Sequence, residues 1–207
     1  MTNSADTAVR RQDASGASAW PDVLRYSDLE ASGLTRYALE QAVRAGSYER
    51  VAPGLFRRTG TADDTVAAWA AIAAKRPQAT LCLVSAASLH DLTDEIPRRS
   101  HIAIPRGTHH VAVKYAPITW HRFGVATFDL GRTEHDLLGG GSIGLYSPER
   151  TVIDFFRTRH QQGTDAATAV LKRWLSVHGH TPAVLLEMAK HFPDAYPSLL
   201  STLEVLL

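Results

Sequence analysis

The 207-residue sequence predicts an α+β protein, with a small, mostly antiparallel sheet in the middle of the chain and helices at its end. Three patterns support this prediction. Near the N-terminus, an amphipathic segment precedes two β-type runs, Tyr48–Ala52 and Leu55–Arg58, which flank a Pro-Gly turn. Between residues 80 and 146, short apolar runs are separated by Pro and Gly. After Ser147-Pro148, a strong helix start, apolar residues recur at helical spacing to the last residue.

The N-terminal segment predicts a helix-turn-helix followed by a wing. Tyr26–Gly33 has the composition of a short helix capped by Ser27. A second helix begins after Thr35, a good N-cap, and ends before Gly46, which suits the left-handed position after a helix. The apolar residues of this helix share one arc: Leu34, Ala38, Leu39, Ala42 and Val43. With the two β-type runs as the wing, this is the winged helix-turn-helix pattern.

The charge of this segment indicates a nucleic-acid partner. Between Ser32 and Gly60 there are five arginines and two acidic residues, a local charge of +3. The arginines on the exposed arc of the second helix suit base edges or phosphates, and those on the wing suit phosphates. The alternative is a winged helix that contacts only protein and whose arginines are solvated. The predicted DNA-binding residues are Thr35, Arg36, Tyr37, Gln41, Arg44, Arg50, Arg57 and Arg58.

Three stretches of the chain together resemble the AbiEi family of antitoxins, which belongs to type IV toxin–antitoxin systems. They are DLEASGLTRYALEQAVRAGSYERVAPGLFRR (28–58), SAASLHDLTDEIPRRSHIAIPRGTH (85–109) and SPERTVIDFFR (147–157). The resemblance implies an N-terminal winged-helix domain and a second antitoxin domain. It further implies an antitoxin that is paired with a nucleotidyltransferase-like toxin and represses its own operon by binding promoter DNA.

Composition limits the other functions open to the chain. The formal net charge is only +1 and the pI about 8.0, so DNA binding must depend on a local patch rather than on overall charge. A single cysteine, Cys82, excludes an internal disulfide and is consistent with a cytoplasmic protein. No run approaches the roughly 18 apolar residues that span a bilayer, so we expect no membrane association.

We expect a mobile tail at residues 1–19, a winged helix-turn-helix domain at 20–60 and an α+β antitoxin domain at 61–207. The two domains lack a flexible linker and so are expected to pack as one body. Within the second domain, helices are predicted at 61–76, 85–92, from 148, at 164–178, from 182 and from 196 onward. Strands are predicted at 80–84, 101–104, 111–115, 118–123, 125–130 and 142–146.

No pattern in the sequence indicates catalysis, a cofactor or a metal site, and we predict none of them. The ten histidines include no i, i+4 pair on a predicted helix, and the Gly139-Gly140-Gly141 loop lacks the lysine of a phosphate-binding loop. Arg150 and Asp154, at i, i+4, suit a helix pair or a buried polar anchor.

Several questions stay open at this stage. The leucine-rich last helix docks either on its own domain or on a partner. The middle cations either extend a DNA footprint, face an acidic toxin surface or are simply solvated: Arg98, Arg99, Arg106, Lys114 and Arg122. Because one reading helix gives modest specificity, we expect self-association of two copies on repeated half-sites. Alternative functions are a toxin-binding protein without physiological DNA binding, or a stand-alone winged-helix transcriptional regulator.

Overall fold

The computed structural model describes residues 20–52, 54–60, 64–113, 116–137 and 141–207, and within them it is an α+β fold of two sheets and eight α-helices. The helices are α1 (Arg36–Arg44), α2 (Asp64–Lys75), α3 (Leu83–Leu89), α4 (Pro148–Arg157), α5 (Arg159–Gln162), α6 (Thr164–Ser176), α7 (Pro182–Ala189) and α8 (Tyr196–Leu206). The strands are β1 (Val23–Arg25), β2 (Tyr48–Ala52), β3 (Leu55–Arg58), β4 (Thr80–Leu81), β5 (Ser100–Pro105), β6 (Ile118–Phe123), β7 (Arg132–Asp136) and β8 (Ser142–Tyr146). The tail predicted at residues 1–19 lies outside the described residues.

The N-terminal unit, residues 20–60, combines α1 with an antiparallel sheet of order β1-β3-β2. As predicted, Thr35 caps α1, since its hydroxyl accepts a hydrogen bond from the Ala38 N–H at 3.1 Å. Gly46 follows the helix with φ of +75°. Leu39 and Ala42 point from α1 into a small core that also contains Tyr48 and Phe56. The helix therefore buries its apolar arc against its own hairpin.

The segment before α1 differs from the predicted helix. Only Tyr26–Asp28 forms a single 3₁₀ turn, and two bonded turns carry the chain to Gly33. The Leu34 N–H donates to the Leu29 carbonyl at 2.8 Å across Gly33, whose φ is +68°. A glycine in this conformation ends the segment before a regular helix can form. The chain reverses direction there, and the carbonyl groups that a further helical turn would use already accept hydrogen bonds from the turn.

The main sheet has five strands in the order β6-β5-β4-β8-β7. The β4–β5 and β7–β8 pairs are antiparallel, whereas β4–β8 and β5–β6 are parallel. The predicted mostly antiparallel sheet is therefore wrong, and the sheet is mixed. The connection from residue 106 to 117 is long enough to cross back and start a parallel strand, which a hairpin turn does not allow.

Individual elements also depart from the prediction. The apolar run at 80–84 is a two-residue strand that enters a helix at Leu83, so α3 begins earlier than the predicted 85–92 helix. Residues 111–113 have no regular structure, and Val125–Thr127 is a 3₁₀ turn instead of a strand. Strand β7 was missed because its sequence, RTEHD, is polar and lies at the exposed edge of the sheet.

The C-terminal helices form the largest core around α4. Ser147 caps α4 by accepting from the Arg150 N–H at 3.2 Å, as its sequence predicts. Trp174 on α6, Leu185 on α7 and Leu199 on α8 are buried in this core. The last helix therefore docks on its own domain, although Val205 and Leu207 stay exposed.

A second core joins the N-terminal unit to the main sheet. Val51 and Leu55 of the hairpin belong to the same buried cluster as Ile72 of α2 and Ile143 of β8. The Arg25 guanidinium also lies so close to Gly141, beside β8, that a Cβ there would collide with it. The described residues therefore pack as one body.

Candidate nucleic-acid interface

The exposed face of α1 carries most of the residues predicted to bind DNA. Arg36 and Arg44 are exposed, Tyr37 is 64% exposed and Gln41 is half-buried. Arg36 and Arg44 are eight residues apart, which places their Cα atoms about 12 Å apart along a helix axis. The face opposite the hairpin is thus open and about two turns long.

Thr35 and Tyr26 organise the start of this face. Thr35 fixes the first turn of α1 through its capping bond. The Arg36 guanidinium lies over the Tyr26 ring, 5.1 Å from its centroid. Tyr26 in turn packs edge-on against Phe56 with 5.0 Å between centroids. Sequence analysis missed Tyr26 because a cation–π contact between a turn and a helix has no local signature.

The predicted wing arginines have different environments. Arg57 is 8% exposed, and its guanidinium binds the carboxylates of Glu49 and Asp64. Arg58 binds Asp22 at 3.0 Å and the backbone carbonyl of Trp20. Its guanidinium also lies 5.5 Å from the centre of the Tyr48 ring. These contacts hold the hairpin together and direct both guanidinium groups toward the protein itself.

Arg50 is exposed on β2. Within the part of the chain that the structure describes, neither Arg36 nor Arg44 takes part in an ion pair. Among the described residues, the guanidinium groups of Arg36 and Arg44 thus have no direct ion-pair partner, unlike those of Arg57 and Arg58.

The other polar motif noted in the sequence is buried in the helical core around α4. Arg150 is fully buried, and its Nε lies 3.1 Å from both carboxylate oxygens of Asp154. Its Nη1 donates to the carbonyls of Thr127 and Leu130 at 2.7 and 2.6 Å. This confirms the buried polar anchor, since no part of the pair reaches solvent.

The described residues contain no cluster suited to a metal, that is, no group of three or more His, Cys, Asp or Glu side chains in suitable positions. His101 and His121 form an isolated pair with 3.1 Å between ring nitrogens. Burial lowers the pKa of both histidines, and that of His121 falls to about 4. Burial also raises the pKa of the Cys82 thiol well above its usual value, which suits an inert core residue.

No helix among the described residues has both the length and the apolar character to span a bilayer.

Fold and site together define an α+β protein whose N-terminal unit presents a cationic helix face. Residues 20–59, which are nearly the whole of this unit, match the family described as "Transcriptional regulator, AbiEi antitoxin". The resemblance to AbiEi proteins is therefore confirmed over this segment. The stretches at 85–109 and 147–157 lie outside the match, and their resemblance stays a prediction.

Among solved structures, the chain is similar to the RV2827C protein from Mycobacterium tuberculosis. The two share 17% sequence identity with a TM-score of 0.58, over 95% of this chain and 77% of that chain. At this identity the similarity shows the fold alone. No curated protein matches the chain.

Proposed function

We propose that this protein is a DNA-binding antitoxin: a winged-helix regulator that represses its own operon and neutralises a nucleotidyltransferase-like toxin. The observation that carries the DNA half is the open face of α1, where Arg36 and Arg44 have no ion-pair partner among the described residues. The AbiEi match over residues 20–59 supports both halves.

In the proposed complex α1 enters the major groove, which is about 12 Å wide and admits one helix. Arg36, Tyr37, Gln41 and Arg44 face the base edges and the flanking phosphates. Arg50 approaches the backbone from β2. Arg57 and Arg58 support the wing from within, through the carboxylates and ring that they contact.

A single nine-residue reading helix gives modest specificity. Two copies on repeated half-sites raise it, because each copy adds its own base and phosphate contacts. We therefore expect promoter DNA to carry a repeat, with a spacing near one helical turn or a multiple of it.

The DNA half is tested by fluorescence anisotropy with the region upstream of the operon at several salt concentrations. Changing Arg36→Ala together with Arg44→Ala is expected to weaken specific binding by roughly tenfold or more and to reduce the salt slope by about 2. Lys75→Ala with Lys172→Ala removes the same charge from exposed sites elsewhere and serves as the matched control. Equal affinity of both double variants for promoter DNA contradicts the proposal.

The toxin half is tested by co-expression with the product of the adjacent reading frame from an unrelated promoter. The wild-type chain is expected to restore growth, and so is the Arg36→Ala/Arg44→Ala variant, because the helix face that reads DNA is not needed for neutralisation. Rescue without promoter binding by the wild type identifies a toxin-binding protein with no DNA role. Promoter binding without rescue identifies a stand-alone regulator.

A further inference from the structure

A second cationic surface lies on β6, the strand at one edge of the main sheet. Between Glu95 and Asp129 the sequence contains no acidic residue. Its cations are Arg98, Arg99, Arg106, Lys114 and Arg122, of which Lys114 lies outside the described residues. The N-terminal unit contacts the chain beside β8, near the opposite edge of the sheet.

Strand β6 pairs only with β5 among the described strands, so its other side is an open edge. The Ser100 N–H donates to the Pro117 carbonyl at 3.0 Å, which fixes which residues of β6 face β5. In a parallel pair, successive residues of a strand direct their backbone N–H and C=O groups alternately toward the partner strand and away from it. The groups that point away from β5 therefore belong to Ile118, Trp120 and Arg122. The side chains of Ile118 and Trp120 are half-buried beside these groups.

Cations stand at both ends of this open edge. At one end the Arg99 guanidinium donates to the Ile118 carbonyl and the Thr119 hydroxyl, each at 3.1 Å. At the other end Arg106 and Arg122 are exposed. The strand between them spans about 13 Å, at about 3.3 Å per residue. None of these three arginines forms an ion pair within the residues described.

We propose that the β6 edge binds an extended acidic segment of a partner protein, which adds to the main sheet as a sixth strand. The outward N–H groups of Ile118, Trp120 and Arg122 match a peptide backbone, as do the carbonyls of the last two, while the Ile118 carbonyl already accepts from Arg99. The arginines at both ends match acidic residues that flank a short β-type core. A second copy of this chain is disfavoured as the occupant, because it brings arginines against arginines. A nucleic acid supplies acceptors for the arginines but no backbone ladder for Trp120.

The experiment uses the full chain and a fluorescein-labelled peptide, Glu-Glu-Val-Thr-Val-Thr-Val-Glu-Glu. We expect saturable binding, with slowed amide exchange at Ile118, Trp120 and Arg122 in NMR spectra. Arg106→Glu with Arg122→Glu is expected to weaken binding by roughly tenfold or more. Lys75→Glu with Lys172→Glu makes the same change in net charge at exposed sites elsewhere and is expected to leave peptide binding unchanged.

Two further probes separate strand addition from simple charge attraction. The same peptide with every central amide N-methylated keeps its charge but lacks ladder donors, and it is expected not to bind. Equal binding of the methylated peptide, or no binding of the parent peptide, overturns the proposal. If a single-stranded oligonucleotide displaces the peptide and loses affinity through Arg106→Glu with Arg122→Glu, the surface is a nucleic-acid site and the proposal is again overturned.

Discussion

Helices α1 and α4 each carry two arginines, but in opposite environments. On α1, Arg36 and Arg44 are exposed, and within the described chain no carboxylate pairs with them. On α4, Arg150 and Arg157 both bind the fully buried Asp154. Arg150 is additionally enclosed by aromatic rings, with the Tyr146 centroid at 4.2 Å and the Phe192 centroid at 4.5 Å.

The difference shows that residue type alone does not tell a binding group from a structural one. A buried guanidinium needs a carboxylate, carbonyls or ring faces to replace its lost water. Arg150 is enclosed so completely that no ligand can reach it, although its Nη2 has no hydrogen-bond partner. An exposed guanidinium keeps its water and its donors for an incoming anion. The four predictions below test this contrast, from the largest expected effect to the smallest.

Asp154→Ala is expected to have the largest effect. The substitution leaves Arg150 and Arg157 without the carboxylate that both contact, one of them fully buried. Removing one partner of a buried charge cluster costs about 3–5 kcal/mol in the free energy of unfolding. Urea denaturation of both proteins measures this loss of stability. As a control, Glu187→Ala removes the exposed partner of Lys190 and is expected to leave stability unchanged. Equal urea midpoints for wild type and Asp154→Ala contradict the structural role.

Arg57→Met tests whether a wing arginine behaves like those of α4. Loss of the bonds to Glu49 and Asp64 is expected to reduce the free energy of unfolding by about 1–3 kcal/mol, as for hydrogen bonds between charged groups. Arg44→Met, the matched variant on α1, is expected to weaken promoter binding with an unchanged unfolding midpoint. The contrast fails if Arg57→Met weakens DNA binding in the fully folded protein as much as Arg44→Met does.

The pH dependence of the free energy of unfolding tests how strongly burial disfavours the protonated form of His121. Burial, assisted by the charge of His101, lowers the pKa of His121 to about 4, whereas an unfolded histidine titrates near about 6.5. Between these values the unfolded chain binds more protons, so stability is complete above pH about 6.5 and falls as pH decreases toward 4. Between pH 7 and 5 we expect a loss of roughly 1–2 kcal/mol, since the ring is partly exposed.

Urea denaturation at several pH values measures this loss. His121→Gln is expected to remove most of the dependence between pH 5 and 7. His178→Gln, at an exposed site, is expected to keep it. Identical pH profiles for wild type and His121→Gln rule out the assignment to His121.

Tyr26→Leu is expected to have the smallest effect on DNA binding. An exposed cation–π contact contributes about 0.5–1 kcal/mol, so loss of the ring beneath Arg36 is expected to lower promoter affinity roughly two- to fivefold. Tyr26→Phe keeps a ring face and is expected to restore affinity to the wild-type value. A merely structural role is indicated if both variants bind DNA equally and differ only in thermal midpoint.

The sequence correctly predicted those helix ends that are fixed by capping residues next to them in the chain. Thr35 and Gly46 delimit α1, and Ser147 starts α4, because caps act within a few residues of the chain. Strand β7 and the parallel β5–β6 pair were not predicted, since they depend on neighbours that are distant in sequence.

The candidate site divides in the same way. The exposed face of α1 follows from helical periodicity alone, and Arg36 and Arg44 lie on it as predicted. The environment of Arg57 depends on Asp64, which belongs to another element, and the support of Arg36 depends on the ring of Tyr26 across a turn. Such contacts form only when the chain is folded. The sequence alone therefore cannot distinguish arginines that are free to bind a ligand from arginines that stabilise the fold.

The core shared by the hairpin and α2 limits how the N-terminal unit can be separated from the rest of the chain. Because Val51 and Leu55 pack with Ile72 and Ile143, a cut near residue 60 exposes apolar surface on both pieces. The N-terminal unit transferred alone into another scaffold is therefore expected to need an equivalent apolar surface to pack against. If the proposed DNA binding holds, exchanging single exposed side chains of α1 changes operator preference without opening this core.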